Sequence, residues 1–317
     1  MLLSRVADSL YWISRYLERA EHTARLVDGA VDLRLGRQST SGAIERLYGS
    51  LGLPPAAVEG QIASFADAAY FDASNRNSVI ACITAARENA RQVREEISSD
   101  MWQQLNGLFL RLKQMRADKS RVARTHFVSR VVIEGVHLFQ GITDATMAHG
   151  EGWQYLQAGR FIERAGSTAA LLDLFLSDTS DPAEMPTPLD QVEWVALLRS
   201  CSALEAYCRH YTADVRSERV AEFLLLNAEF PRSVRFAASA TESALLAMAQ
   251  HSGRRPGGRP ERLAGRLHAS LDYAQVDEIL GDNPHAYLTG ISRQCAQIHA
   301  ALYQTYIAYP IESALSA

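Results

Sequence analysis

Residues 56–181 contain no proline, because the ten prolines of the chain fall at 54, 55, 182, 186, 188, 231, 256, 260, 284 and 310. Proline breaks helices and also marks turns between strands. A gap this long, poor in glycine and dominated by Ala, Leu, Arg, Gln and Glu, favours helices joined by tight polar turns. No alternating β-branched run interrupts it. The apolar spacing predicts helices over 4–34, 41–51, 56–69, 77–98, 100–117, 121–148 and 151–177, then 189–212, 217–228, 231–250, 261–270, 273–281 and 285–307. The expected class is all-α, a bundle of about a dozen helices. Residues 178–188 read as a stiff polar connector, and 251–260 as an exposed loop of arginine, glycine and proline.

Two of the expected helices carry the same signature. Arg15-Tyr-Leu-Glu18-Arg19-Ala20-Glu-His-Thr23-Ala24-Arg-Leu26-Val-Asp28 is matched 145 residues on by Arg160-Phe-Ile-Glu163-Arg164-Ala165-Gly-Ser-Thr168-Ala169-Ala-Leu171-Leu-Asp173, with eight of the fourteen positions identical. The apolar positions exchange while Arg-x-x-Glu-Arg is kept. Packing alone holds apolar positions and releases charges, so the charges themselves are under constraint. Asn77-Ser-Val79 and Arg232-Ser-Val234 form a second, weaker match at a spacing of 155. The chain therefore reads as one internally duplicated domain, with related halves over about 1–149 and 150–317.

On a helical wheel Arg15, Glu18, Arg19 and His22 share a face with Asp8, Tyr11 and Trp12, opposite Leu10, Ile13, Leu17, Ala20 and Ala24. The second helix places Arg160, Glu163, Arg164 and Ser167 together with Trp153. Aromatic residues beside a charge cluster point to a groove or polar interior, with the two helices packed against one another. Two roles are open. Glu18–Arg164 and Glu163–Arg19 pairs could fix helix register as ion pairs, or Arg15, Arg19, His22, Arg160 and Arg164 could bind an anion. A further basic stripe, Arg87, Arg91 and Arg94, is either a solvated face or part of a multi-arginine anion site with Arg232 and Arg235.

The net charge of −4 argues against a general nucleic-acid role. Of the 32 basic residues only Lys113 and Lys119 are lysine, and arginine suits bidentate capture of carboxylates and phosphates. Cys82, Cys201, Cys208 and Cys295 lack metal or disulfide spacing; Cys201 and Cys208 read as sharing one helical face in the core. The remaining histidines (126, 149, 210, 251, 268, 285 and 299) have no ligand spacing. Glu134-x-x-His137 is half of a di-metal pattern whose second half is missing, so no metal or cofactor is expected. The first helix begins without a signal-peptide pattern and no apolar run is long enough to span a bilayer, which points to a cytoplasmic protein with no membrane partner.

Five segments in order resemble the bacterial alpha-E domain family: residues 15–25, 86–94, Met101-Trp-Gln-Gln-Leu-Asn106, 159–165 and Phe230-Pro-Arg-Ser-Val-Arg235. The likeness covers essentially the whole chain, and the family's Glu-Arg motif stands at Glu18-Arg19 and Glu163-Arg164; the residue before each copy differs, Ser14 against Gly159. The resemblance implies an association with circularly permuted ATP-grasp amide ligases and transglutaminase-like proteins, and hence with synthesis or modification of a small peptide. It supplies no mechanism of its own. Three expectations follow: an accessory subunit binding an acidic peptide or acyl intermediate, an enzyme with Glu18 or Glu163 as general base, or a structural interaction protein.

Overall fold

The computed structural model describes residues 2–35, 49, 51, 62–117, 125–176, 188–212 and 214–308. Those residues form 13 helices and no strand. In chain order these are α1 (Ser4–Leu35), α2 (Ile62–Phe71), α3 (Val79–Gln92), α4 (Ser99–Ala117), α5 (Thr125–Thr146), α6 (Glu151–Leu176), α7 (Pro188–Ser200), α8 (Leu204–Tyr211), α9 (Ser217–Leu226), α10 (Val234–His251), α11 (Arg259–Asp272), α12 (Val276–Gly281) and α13 (Pro284–Leu302). A π-helical turn, Tyr303–Ile307, follows α13. The expected helix 41–51, the start of 56–69 and the connector 178–187 lie outside the described residues.

The two repeat-bearing helices sit at the centre. α1 packs against α6, and each then gathers a similar set of neighbours: α3 and α5 around α1, α10 and α13 around α6. The corresponding helices start with corresponding caps. Ser78 Oγ accepts from Ala81 N at the head of α3, and Ser233 Oγ accepts from Phe236 N at the head of α10. This is the backbone donor that a Ser cap satisfies. Each repeat also ends alike: Asp28 accepts from His126 Nδ1 at 2.8 Å on α5, and Asp173 from His285 Nδ1 at 2.9 Å on α13.

Because α1 is enclosed on several sides, its two faces are not apolar against polar. Leu10, Ile13, Leu17, Ala20 and Ala24 are buried as expected, but so are Tyr11, Glu18, Glu21 and Arg25. A helix buried all round must find partners for every polar group it carries, since an unpaired buried charge is costly.

Close approach of α1 and α6 turns on the position just before each copy, Ser14 in one and Gly159 in the other. A Cβ added to Gly159 would lie 2.3 Å from the Tyr11 carbonyl oxygen and 2.5 Å from Ser14 Oγ. Gly159 thus admits the α1 backbone, and Ser14 fills the space beside it. Gly159→Ala is expected to cost about 1–3 kcal/mol by forcing the helices apart. Urea denaturation measures this, and an unchanged midpoint would refute the close-packing account.

Two elements depart from the periodicity. The expected helix 189–212 is broken into α7 and α8 at Cys201–Ala203, where Ser202 adopts φ 50°. Cys201 and Cys208 consequently do not share one helix; all four cysteines are free thiols. The expected helix 77–98 ends at Gln92 and continues as turns. Of the expected loop 251–260, residues 253–257 are exposed, while His251 ends α10 and Arg259 and the buried Pro260 open α11.

Candidate functional site

The charged faces of α1 and α6 meet in reciprocal ion pairs. Glu163 accepts from Arg15 Nε and from Arg19 Nε, each at 2.7 Å. In the reverse direction Arg164 grips Glu18 with two bonds, Nε to Oε1 at 2.6 Å and Nη2 to Oε2 at 2.8 Å. Such fork-to-carboxylate geometry is the strongest kind of side-chain hydrogen bond. Glu18 and Arg164 are only 2 % and 3 % exposed at their side chains.

Arg15, stacked over Trp12 at 4.9 Å, also donates to the Tyr11 hydroxyl. That hydroxyl meets His299 Nδ1 at 2.8 Å. Burial pushes His299 down to about 4, so its ring is neutral near pH 7 and takes the Tyr11 proton as acceptor.

The ion pairing of the two copies diverges at Arg160. Arg15 of the first copy pairs with Glu163, so its counterpart Arg160 would pair with Glu18. Arg232, from the turn before α10, takes that place: it donates Nη1 to Glu18 Oε1 at 3.3 Å and Nη2 to Glu21 Oε1. The Pro231 carbonyl accepts from Arg164 Nη1 at 3.0 Å, and Thr168 donates to the Arg232 carbonyl, so this turn is tied to α6. Arg160 is left with no carboxylate partner among the described residues, and its Nε is buried without a hydrogen bond. Burial first, then repulsion from Arg164, lowers its pKa to about 10, still cationic at neutral pH.

Three residues central to this cluster carry no expectation from the repeat as anion ligands. Glu21 is fully buried, and its Oε1 accepts from Arg25 Nη2 at 2.7 Å and from His137 Nε2 at 2.8 Å as well as from Arg232. Arg25 donates its Nη1 to Ser202 Oγ, the residue of the α7–α8 break. His137 belongs to the Glu134-x-x-His137 half-motif; Glu134 instead points to Arg130 on the surface. Glu21 and Arg25 lie inside the first copy of the repeat, at positions where the second copy has Gly166 and Ala170, and His137 carried only the half-motif signal. Glu21 Oε2 is buried with no partner. Among the described residues no group of three or more side chains could hold a metal ion.

Glu18, Glu21 and Glu163 all have carboxyl groups held below the ordinary range, because their arginine partners outweigh the burial that would raise them. A general base with its oxygens taken by arginines and its proton affinity depressed is poorly suited to accept a proton. The expectation of Glu18 or Glu163 as general base is therefore corrected by their surroundings. His22 adjoins the cluster; burial and then Arg232 push its pKa down to about 4.

Arg87 and Arg91 do not join this site. Arg87 bonds Asn106 at 2.8 Å and Glu88 at 2.5 Å while lying over Phe109, and Arg91 bonds Glu88 at 2.9 Å. Arg235 pairs with Asp272 at 2.6 Å. The shared anion site of Arg87, Arg91, Arg232 and Arg235 is thus not assembled: Arg87 and Arg91 share Glu88 on α3, Arg232 holds Glu18 and Glu21, and Arg235 holds Asp272.

Beside the ion-pair cluster lies an open pocket of about 410 Å³ between α5, α6 and the Pro231–Arg232 turn, lined by His137, Gln140, Asp144, Gln157, Arg160, Arg164 and Arg232. Six arginines (15, 19, 25, 160, 164 and 232) face three glutamates (18, 21 and 163) across cluster and pocket, a surplus of three positive charges. Asp144 on the rim offsets one of them and leaves the floor basic.

A family model described as a predicted alpha-helical domain with a conserved ER motif matches residues 2–307. An uncharacterized protein of Mycobacterium bovis is 25% identical over 325 residues, covering 94% of this chain and 35% of the relative. An uncharacterized protein of Mycobacterium tuberculosis strain H37Rv is 24% identical over the same shares. The chain thus spans about a third of the length of these curated relatives. No solved structure matches the chain. Among the described residues, no helix is long and apolar enough to cross a membrane.

Proposed function

The chain belongs to the Alpha-E family, and from that premise and the surplus charge of its central cluster we propose that it is a binding subunit for a small anionic ligand. The ligand's carboxylate or phosphate group occupies the pocket between α5 and α6, with Arg160 as its principal contact. The observation that carries this reading is that Arg160, beside that pocket and over the Phe161 ring, has a buried Nε without a hydrogen bond and no carboxylate partner among the described residues. Its neighbours Arg164 and Arg232 already hold glutamates, so they shape the floor and add field, while Arg160 retains its hydrogen-bonding capacity. A volume near 410 Å³ suits a small molecule or a peptide terminus. In the setting that the family resemblance implies, the ligand is an acidic peptide or its acyl intermediate, and the partner an ATP-grasp amide ligase.

Calorimetry with inorganic phosphate and with a short glutamate-terminated peptide tests the site. Arg160→Ala is expected to weaken binding by about 10–150-fold, the loss of one charge-assisted contact. Its stability should stay level or rise, because the variant removes a cation that the fold leaves uncompensated. Binding equal to the parent protein's would end the proposal. Loss of the fold in this variant would instead assign Arg160 a structural role.

A second reading, an enzyme, is favoured by one observation. His137 Nε2 lies 2.8 Å from Glu21 Oε1 and 3.1 Å from Arg25 Nη2, on a ring that lines the pocket. The base in this reading is His137, oriented by Glu21, and the pocket arginines stabilise negative charge that develops on the ligand. In a reconstituted reaction with the ATP-grasp partner, His137→Gln would reduce kcat while leaving phosphate binding at the Arg160 pocket in place. A rate unchanged in His137→Gln excludes this role and leaves the binding reading intact.

A further inference from the structure

We infer that the outward face of α11, together with the loop before it, is a docking surface for an acidic segment of a partner protein. Arg254, Arg255, Arg259, Arg262 and Arg266 are all exposed, and none has a carboxylate partner among the described residues. Residues 254–266 hold these five arginines against the single Glu261, a net +4, so the rest of the chain carries −8 of the total −4. Glu261 does not neutralise the face: it is 4 % exposed and turned inward, where it accepts the Tyr306 hydroxyl proton.

The face is built rather than merely charged. Pro260, Ala264, Leu267 and Leu271 bury the inner side of α11, which leaves its arginines projecting outward at spacings of three and four residues. Arg259, Arg262 and Arg266 line a shallow groove of about 450 Å³ floored by Leu263. The loop is held to the helix, since Arg262 Nη1 donates to the Gly257 carbonyl and Arg254 lies over the Tyr306 ring at 5.6 Å. From Arg259 to Arg266 the row runs about 10 Å along the helix, the reach of a few acidic side chains. Guanidinium forks favour carboxylates in bidentate geometry. A long polyanion such as nucleic acid, or an anionic membrane, would be repelled by the acidic remainder of the molecule; a short acidic stretch of protein would not.

The test uses the full chain at low ionic strength and an oligoglutamate peptide as probe, followed by fluorescence anisotropy. The peptide should bind, lose affinity as salt screens the charges, and bind Arg259→Gln/Arg262→Gln/Arg266→Gln at least about tenfold more weakly. The same triple variant should still bind inorganic phosphate like the parent, which separates this face from the Arg160 pocket. Should the triple variant misfold, Arg255→Gln/Arg259→Gln at the head of the helix supplies the comparison. An oligoglutamate that does not bind, or that binds the variants equally well, overturns the inference. So does tighter binding of duplex DNA or of phosphatidylserine vesicles than of oligoglutamate.

Discussion

Glu18→Ala is expected to lower stability by about 3–5 kcal/mol, enough to unfold a large fraction of molecules near the melting point of the parent protein. The magnitude follows from what the substitution strands. Arg164, 3 % exposed, would lose both bonds of its fork, and Arg232 would keep only Glu21. The deficit reflects burying a cation without its counter-charge, rather than the net worth of the pair. Glu163→Ala should cost less, because Arg15 and Arg19 are 14 % and 26 % exposed and water can solvate them. A double-mutant cycle with Arg164→Met sharpens the test: removing both members should be milder than removing Glu18 alone. Urea midpoints for the three variants decide it, and a Glu18→Ala protein as stable as its parent would refute the account.

Acidification is expected to unfold the protein in two stages. His22 and His299 have folded-state values near 4 against an ordinary value of 6.5. Above pH 6.5 both rings are neutral in the folded and unfolded chain alike. Between 6.5 and 4 the unfolded chain takes up these protons while the folded one resists, so stability falls by on the order of 1–3 kcal/mol for His22 and by less for His299, whose partial exposure lets solvent screen the penalty. Glu18, Glu21 and Glu163 have depressed values, so their contribution is present above about 4.5 and lost as pH falls through the folded-state values. Denaturant midpoints recorded as a function of pH should decline from about 6.5 downward and steepen below about 4.5. Replacing His22 and His299 by Gln should flatten the upper stage and spare the lower. A curve flat down to pH 5 would show that both rings protonate freely in the folded protein.

The helical class and the contact of α1 with α6 were legible before any coordinates. A proline-free stretch with helix-forming composition has few other solutions, and Arg-x-x-Glu-Arg on two helices carries the opposite charges each needs from the other. Some of the wiring was legible as well: Glu18 with Arg164 and Glu163 with Arg19 follow from packing two like faces together. The Ser78 and Ser233 caps show that even a three-residue match can mark equivalent helix starts. The break at Ser202 was not visible, because nothing local demands φ 50° of a serine between Cys201 and Ala203. Its hydroxyl meets Arg25, a partner 177 residues away.

The sequence by itself determined where most of the described helices lie, which faces carry charge and that the two repeats attract one another, since those depend on spacing within 3.6-residue turns and on opposite charge. Only the tertiary structure decided which arginine stays unpaired. Arg15 and Arg160 are equivalent in the repeat, and their fates differ because Arg232, 214 residues from Glu18, reaches that carboxylate in place of Arg160. The same long-range contacts make Glu21 and His137 neighbours across 116 residues and place them beside the pocket. Ion pairing at a buried carboxylate is a competition among all cations the fold brings within reach. Its outcome is set by three-dimensional distance, which the repeat does not encode.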